Sequence, residues 1–338
     1  MTPQTSLTVR TPSDLLAALP FMLGFHPAQS VAVVAVHGGR AFFAGRHDLP
    51  PPGEEAAGAR YLAWIVRKQG ADAAAVIGYG DPARVTPAVL GTAKALRRLS
   101  VEVFEMLRVT GGRYWSYASP DCPAAGWPCP PEDSEVAAVA TYAGQVALPD
   151  RESLVARLDP VTGDERRAMT PATERARARL RDLLGRRQGD LDRTLRRAGH
   201  TAVRDAERRY RAGGRLPDDE VAWLGLLLVD LAVRDYAWER TGDDDWQIAL
   251  WTDVLRRVEP RYVPAPACLL AFAAWRAGQG VLALTAVDRA LAEDDGYRMA
   301  LLLAEVLAAG ISPAIVDDWP ALAGPGSPPH DRPVRVTP

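Results

Sequence analysis

The chain has 338 residues, of which 48% are hydrophobic and 24% are charged, and its formal net charge is −2. These values are ordinary for a globular protein of about two domains, and they exclude a global electrostatic attraction to nucleic acid or membranes. Three cysteines are too few for a disulfide scaffold. The N-terminus lacks the basic segment of a signal peptide, and the longest apolar helical run, 221–233, is shorter than the ~20 residues of a membrane helix. We therefore predict a cytoplasmic protein with no membrane association.

Helical and strand patterns alternate through residues 1–118. A short strand is predicted at 6–9, followed by a helix that Thr11 caps, that Asp14 stabilises in its first turn and that Gly24 ends. This order of elements predicts an α/β N-terminal domain with a mixed sheet. The remaining predicted elements are strands at 31–36 and 41–49 around a Gly38-Gly39 turn, a helix at 54–69, a strand at 73–79, a helix from Thr86-Pro87 to Leu99, and strands at 101–109 and 113–118 around a Gly111-Gly112 turn.

The segment 119–133 is rich in proline and carries two cysteines, so we interpret it as a connector loop. Only helical patterns follow from 134 to 321, which predicts an all-α C-terminal domain. Asp230 and Arg234, four residues apart on one predicted helix, are expected to form an ion pair. The tail 322–338 is predicted to be disordered. The helices are predicted at 134–144, 150–158, 171–187, 190–212, 218–237, 243–257, 264–277, 280–292 and 296–309.

One part of the helical domain has the character of a repeat. The predicted helices 264–277 and 280–292 meet at a glycine turn, as in a tetratricopeptide-like helix pair. The alternative is an ordinary helical hairpin, since small residues are common where helices cross. The residues near the positions that define such a pair are Gly278, Ala283, Ala290 and Asp295.

Several short blocks stand in order along nearly the whole chain. They are Asp14-Leu15-Leu16, Leu23-Gly24-Phe25-His26-Pro27, Gly112-Arg113-Tyr114-Trp115-Ser116-Tyr117, Tyr142-Ala143-Gly144, Arg151-Glu152, Arg234-Asp235 with Trp238, and 274–278. Together these blocks resemble domain of unknown function 4192, an actinobacterial family. The resemblance implies a bacterial, cytoplasmic protein with an α/β N-terminal part and a helical C-terminal part, and it implies no activity. Family members often carry further cysteines after the Trp-Ser-Tyr strand, whereas Ala118 follows Tyr117 here.

No nucleotide-binding, nucleophile-elbow or metalloprotease motif occurs in the sequence. His26, in a Gly-Phe-His-Pro turn, is a candidate acid–base group, and so are Asp14, in the first turn of the predicted helix, and His47. His47 and Asp48 end the predicted strand 41–49 and could face His26 across a cleft at the strand ends, where α/β sheets place ligands. The alternative is that the His26 ring caps the preceding helix, which is the interpretation we favour.

Arg113, Trp115 and Tyr117 share one face of the predicted strand 113–118. An arginine beside two aromatic rings is typical of a platform for a planar ligand, so these three are the candidate ligand-binding residues. The alternative is an edge strand whose aromatic side chains pack under the following loop.

Cys122 and Cys129 are separated by six residues, a spacing that matches none of the compact zinc motifs, and no histidine lies nearby. We predict two plain loop thiols, no metal and no cofactor. Cys268 lies among apolar residues and is predicted to be a core residue.

The segment 166–215 contains 16 arginines and six acidic residues, a formal charge of +10. Such a segment can bind nucleic acid through phosphates. However, 38 of the 40 basic residues in the chain are arginine, and leucines at helical spacing place the arginines on exposed faces. We favour a solvated face, or one covered by acidic parts of the same chain, and we do not expect nucleic-acid binding.

These features favour a non-catalytic ligand-binding or protein-interaction module, whose helical domain binds a partner protein or a second copy and whose α/β domain takes a small molecule. An enzyme of unrecognised type, with acid–base residues near His26, is the first alternative. Nucleic-acid binding through 166–215 is the second.

Overall fold

The computed structural model describes residues 11–185 and 190–317. The strand predicted at 6–9 and the tail predicted at 322–338 therefore lie outside the described residues.

Within the described residues, the N-terminal part contains a mixed sheet of six strands, which confirms the predicted α/β character. The strands are β1 (Ser30–His37), β2 (Arg40–Asp48), β3 (Ala73–Tyr79), β4 (Glu102–Thr110), β5 (Arg113–Ser116) and β6 (Trp127–Pro128). Their order across the sheet is β2-β1-β3-β4-β5-β6, and among these six strands only the β3–β4 pair is parallel. A long helix connects these two parallel strands, as parallel pairing requires.

Helices cover both faces of this sheet. Alternate residues of β1 point to opposite faces and pack against different helices. Val31 and Val33 pack in one apolar cluster with α2 (Glu55–Lys68) and α3 (Pro82–Arg98). Ala32 and Val34 pack in another with α1 (Pro12–Leu23). A fourth helix, α4 (Glu135–Tyr142), contacts α1 and so lies on the α1 side of the sheet.

The first helix begins and ends as its sequence predicts. The Thr11 hydroxyl accepts a hydrogen bond from the Asp14 peptide N–H, and the Asp14 carboxylate accepts one from the Thr11 N–H. These reciprocal bonds satisfy two amide groups that have no partner inside the helix. Gly24 ends the helix with φ 83°, a conformation that favours glycine.

The predicted start of α3 was wrong by about one turn. Its N-cap is Asp81, whose carboxylate accepts a hydrogen bond from the Ala83 N–H at 2.9 Å, and Pro87 lies inside the helix. The sequence offers a cap residue before proline at both Asp81-Pro82 and Thr86-Pro87, and the first pair is the one that caps. The Thr86 hydroxyl instead lies 2.6 Å from the Tyr117 hydroxyl.

The C-terminal part is built of helices around one large apolar cluster, in agreement with the prediction. Leu148 of this part forms an isolated parallel β-bridge with Phe25 of the α/β part. A short 3-10 helix spans Pro260–Tyr262. The α-helices are α5 (Arg151–Ala156), α6 (Gly163–Gly185), α7 (Leu191–Arg211), α8 (Asp218–Leu227), α9 (Leu231–Arg240), α10 (Asp245–Arg257), α11 (Pro264–Arg276), α12 (Gly280–Glu293), α13 (Arg298–Ala308) and α14 (Ala314–Asp317).

The single helix predicted at 218–237 is two helices, α8 and α9. Asp230 is the N-cap of α9, and its carboxylate accepts hydrogen bonds from the peptide N–H groups of Ala232 and Val233. The predicted ion pair between Asp230 and Arg234 was therefore wrong. Arg234 pairs with the neighbouring Asp235 at 2.7 Å. An aspartate inside an apolar run here marks a helix start, because the cap satisfies amide groups that the new helix leaves unpaired.

Helices α11 and α12 form an antiparallel hairpin around Gly278, which has φ 75°. Ala283 and Ala290 are fully buried on the α12 side, whereas Asp295 is exposed beyond its end. The helical hairpin is thus as expected, while its likeness to a tetratricopeptide pair stays a prediction.

The two parts of the chain are joined by hydrogen bonds from α2 to the C-terminal end of α13. Tyr61, Lys68 and Gln69 donate to the carbonyl oxygens of Ala308, Ala309 and Gly310, over 3.0, 2.8 and 2.6 Å. Carbonyl groups in the last turn of a helix have no partner within the helix, so these side chains provide one. None of the helices in the described ranges has the length and apolarity to cross a membrane.

Helices α7 and α9 cross at close range because of one glycine. A Cβ atom added to Gly199 would lie 2.2 Å from a methyl carbon of the fully buried Val233. The two backbones can approach this closely only while position 199 lacks a side chain. This crossing sets the distance between the residues that α7 and α9 present to solvent.

We expect Gly199→Ala to lower the free energy of unfolding by about 1–3 kcal/mol, because the added methyl group must push α9 away. Gly91→Ala is the matched control, since Gly91 lies inside α3 with open space around it. It should leave stability unchanged or raise it by up to about 1 kcal/mol. Urea denaturation followed by circular dichroism measures both, and equal effects of the two variants would contradict the close crossing.

Candidate anion-binding site

Helix α7 has one apolar face and one basic face. Its buried side includes Gly199, Val203 and Tyr210, which pack into the core of the helical part. On the opposite side, positions three or four residues apart carry basic side chains and therefore lie in one line along the helix. Over 18 residues this line is about 27 Å long. We call it the basic stripe, and its residues are Arg193, Arg197, His200, Arg204, Arg208 and Arg211.

The C-terminal half of the basic stripe borders an open groove of about 350 Å³ between α7 and the end of α9. Arg240, from the last turn of α9, lies across the groove from α7. The residues that line the groove are Arg204, Glu207, Arg208, Arg211, Ala212 and Arg240.

The groove keeps an excess of positive charge. The buried carboxylate of Glu207 accepts hydrogen bonds from the Arg240 guanidinium at 2.6–3.0 Å, and Arg208 pairs with Asp205 on its own helix. Within the described ranges no carboxylate lies at ion-pair distance from Arg204 or Arg211. Arg204 contacts the Thr201 hydroxyl, so its charge and that of Arg211 are uncompensated by an ion pair.

Aromatic rings lie along the same surface. The guanidinium of Arg211 sits 4.8 Å from the ring centre of Trp246, at the start of α10. The His200 ring stacks on Tyr236 of α9 at 3.8 Å between ring centres, and Arg240 lies 5.3 Å from the same tyrosine ring. Burial, together with the charge of Arg204, lowers the pKa of His200. The imidazole is therefore mostly uncharged at neutral pH, where it acts as a ring surface.

The arginines of α6 are in a different electrostatic environment. Arg175 pairs with Asp219 at 2.6 Å, Arg177 with Glu259 at 2.7 Å and Arg179 with Glu220 at 3.4 Å. Acidic residues that follow in the chain thus neutralise much of this helix. The Arg-rich segment splits into a compensated half on α6 and an exposed basic stripe on α7.

A partly buried network around Asp253 of α10 holds the end of α7 in position. Its carboxylate accepts hydrogen bonds from Tyr210, from Arg215 at 2.7 Å and from Arg257 at 2.7 Å. Burial alone would raise the pKa of Asp253, but the hydrogen bonds from Arg215 and Tyr210 and the charge of Arg257 outweigh it and hold the pKa below its usual range. The carboxylate is therefore ionised at neutral pH. It connects α7, the loop that follows α7, and α10.

The candidate acid–base residues are not brought together. Asp14 lies in the first turn of α1, occupied with capping, whereas His26 follows the other end of that helix. His47 lies on the opposite face of the sheet, packed against Gly58 of α2. The favoured alternative, in which the His26 ring caps α1, does not match the described structure. Gly24 ends α1, the His26 ring is exposed, and it is the His26 peptide N–H that binds the Leu148 carbonyl at 2.9 Å.

The candidate ligand platform lies beneath the connector loop. Arg113 donates to the carbonyl oxygens of Ala125 and Gly126, and Trp115 donates to that of Ala124. The other face of the Trp115 ring is close to Arg108, whose guanidinium carbon lies 3.9 Å from the ring centre. The polar atoms of Arg113 and Trp115 thus have partners within the protein.

Tyr117 lies just beyond β5, and its hydroxyl contacts Thr86. The thiols of Cys122 and Cys129 are free and half-buried, and burial raises the pKa of Cys129. Cys268 is fully buried, which confirms it as a core residue, and burial raises the pKa of its thiol to about 12. Within the described ranges, no three His, Cys, Asp or Glu side chains are grouped so that they could hold a metal ion.

Some residues of the groove were missed by the sequence analysis. The spacing of basic residues along α7 is visible in the sequence, and it would have singled out Arg204 and Arg211 within the Arg-rich segment. Arg240 and Trp246 carry no such signal, because only the packing of α9 and α10 brings them to α7.

With this geometry established, comparison with known proteins identifies the family. The chain belongs to the family described as Domain of unknown function (DUF4192), whose family model matches residues 12–314. No curated protein and no solved structure matches the chain. The resemblance predicted from short blocks is thereby confirmed over nearly the whole chain.

We expect Asp253→Asn to destabilise the protein by about 3–5 kcal/mol, because it leaves the buried Arg257 charge with a weakened set of partners. The effect should shrink as the pH falls. A carboxylate whose pKa is lowered on folding stabilises the protein above its unfolded pKa of about 4, and this contribution is lost as it becomes protonated. Asp164→Asn, in an exposed pair with Arg167, is the control and should cost at most about 1 kcal/mol. Denaturant titrations between pH 7 and pH 3 measure both, and a difference independent of pH would contradict this account.

Proposed function

We propose that this protein is a non-catalytic binding protein that takes an anionic ligand, with a phosphate or a similar oxyanion as the recognised group, in the groove between α7 and α9. The observation that carries the proposal is the pair of uncompensated guanidinium groups, Arg204 and Arg211, facing an open groove. Guanidinium groups bind phosphate and carboxylate through paired hydrogen bonds, which makes arginine the usual residue for such sites.

The composition of the groove supports binding rather than catalysis. Its one buried carboxylate, Glu207, is held by Arg240 in a two-pronged ion pair and is therefore occupied. The acid–base candidates Asp14, His26 and His47 lie on the α/β part, away from the groove. A volume of about 350 Å³ is at the lower end of the range that small-molecule sites occupy.

A protein partner of the helical part is the second candidate. Val229 and Leu231, at the junction of α8 and α9, have exposed fractions of 62% and 61%. Apolar side chains this exposed on either side of a helix junction favour contact with another protein. The helical hairpin of α11 and α12, if it is a tetratricopeptide-like pair, would support the same function.

The double variant Arg204→Ala/Arg211→Ala should bind pyrophosphate at least tenfold more weakly than the unaltered protein, because each charge-assisted hydrogen bond is worth about 1.5–3 kcal/mol. Isothermal titration calorimetry at low ionic strength measures the affinity. Arg240 is left in place, since its removal would leave the buried Glu207 unpaired.

Arg167→Ala/Arg209→Ala is the matched control, because it removes the same charge from exposed positions outside the groove. Arg167 lies in an exposed pair on α6, and the exposed Arg209 of α7 donates to the Arg215 carbonyl at 3.5 Å. This control should bind as the unaltered protein does. Equal weakening in both double variants, or no pyrophosphate binding by the unaltered protein, would disprove the proposal.

A further inference from the structure

We infer that the polymer recognised by the basic stripe of α7 is single-stranded nucleic acid, with its phosphates along the stripe and its bases against the neighbouring aromatic rings. This inference rests on the proposed function, because it names the ligand class of the same groove and extends it along the helix.

The basic stripe is longer than the groove. The groove is lined by residues of the C-terminal half of α7, but the basic stripe continues to Arg193 and Arg197, in the first two turns of the helix. Arg197 has no ion pair within the described ranges, and Arg193 has only a 3.4 Å contact with Asp190. A single oxyanion fills one end of a stripe about 27 Å long. A chain of regularly spaced anions can contact all of it.

Aromatic rings lie beside the basic stripe. The stacked His200 and Tyr236 lie at the middle of the basic stripe, and Trp246 lies at its end. All three side chains are half-buried, so each ring is fixed by packing and partly exposed to solvent. Proteins that bind single strands combine a basic track for the backbone with aromatic rings on which bases stack. An acidic peptide has no bases that could stack on these rings. The bases of a duplex are already stacked on each other and are not available to them.

Acidic residues lie around the basic stripe. Three exposed aspartates directly precede Trp246, namely Asp243, Asp244 and Asp245. Their negative charges repel a polyanion that extends past Trp246. On the other helix of the Arg-rich segment, α6, arginines are paired with Asp219, Glu220 and Glu259. Among the described residues, the unpaired Arg197, Arg204 and Arg211 lie on one line along α7, which suits one strand of backbone.

The experiment measures fluorescence anisotropy of labelled DNA and RNA single strands of about 15 nucleotides with the full chain at low salt, a length close to the upper site size of one binding fold. Binding should weaken steeply as salt is raised, with a log–log slope of about −0.7 for each phosphate neutralised. Arg197→Glu/Arg204→Glu should weaken binding at least tenfold and flatten that slope. The charge-matched control Arg167→Glu/Arg209→Glu should stay within about twofold of the unaltered protein.

A second variant tests stacking without changing charge. Tyr236→Leu should weaken oligonucleotide binding about tenfold, within the range measured for base–aromatic stacking, and Tyr236→Phe should restore it. Binding of pyrophosphate should be the same in both. Circular dichroism and thermal melting verify that the variants are folded.

The outcomes separate this inference from the proposed function. If pyrophosphate binds in the groove but oligonucleotides do not, the proposed function stands and the inference is wrong. A duplex or a polyglutamate peptide that binds more tightly than a single strand also overturns it. If neither pyrophosphate nor oligonucleotides bind, both fail.

Discussion

The carboxylate of Asp253 fixes the end of α7, and the candidate site depends on that position. It joins Tyr210, in the last turn of α7, to Arg215 in the following loop and to Arg257 on its own helix. Arg257 also donates to the Leu216 carbonyl and to Asp218 at the start of α8. The carboxylates of Asp253 and Asp218 thus hold the end of α7 against α8 and α10. Because the charges inside this network satisfy each other, the arginines on the far side of α7 remain free to face solvent.

The close crossing of α7 and α9 determines what the exposed side of α7 can form. Gly199 lets α9 approach until Val233 fills the contact. Arg240 then donates a hydrogen bond to the Glu207 carboxylate, and this bond holds its guanidinium at the side of the groove. The same approach brings Tyr236 onto His200. Packing of small and apolar residues on the buried side therefore produces, on the exposed side, the combination of guanidinium groups and rings from which a ligand site can be built.

The sequence predicts the elements of this fold well where one local signal decides the outcome. Thr11, Asp14 and Gly24 bound α1 as predicted, because caps act through neighbouring backbone groups. Prediction is wrong where two local signals compete, as at Asp81 and Thr86, or where an apolar run hides a helix start, as at Asp230. The groove could be predicted only in part, since the spacing of arginines along α7 is local information, whereas the approach of Arg240 and Trp246 depends on tertiary packing.

The contrast between α6 and α7 shows why composition alone does not identify a binding surface. Both helices are rich in arginine and both have a buried apolar side. The arginines of α6 face the acidic first turn of α8 and the Glu259 side chain, and these contacts compensate much of their charge. Those of the basic stripe on α7 face solvent, and within the described residues acidic side chains pair with only two of them, Arg193 and Arg208. An arginine is available to bind an external anion only when no carboxylate of the same chain pairs with it. The unpaired guanidinium groups of the basic stripe therefore mark the candidate site.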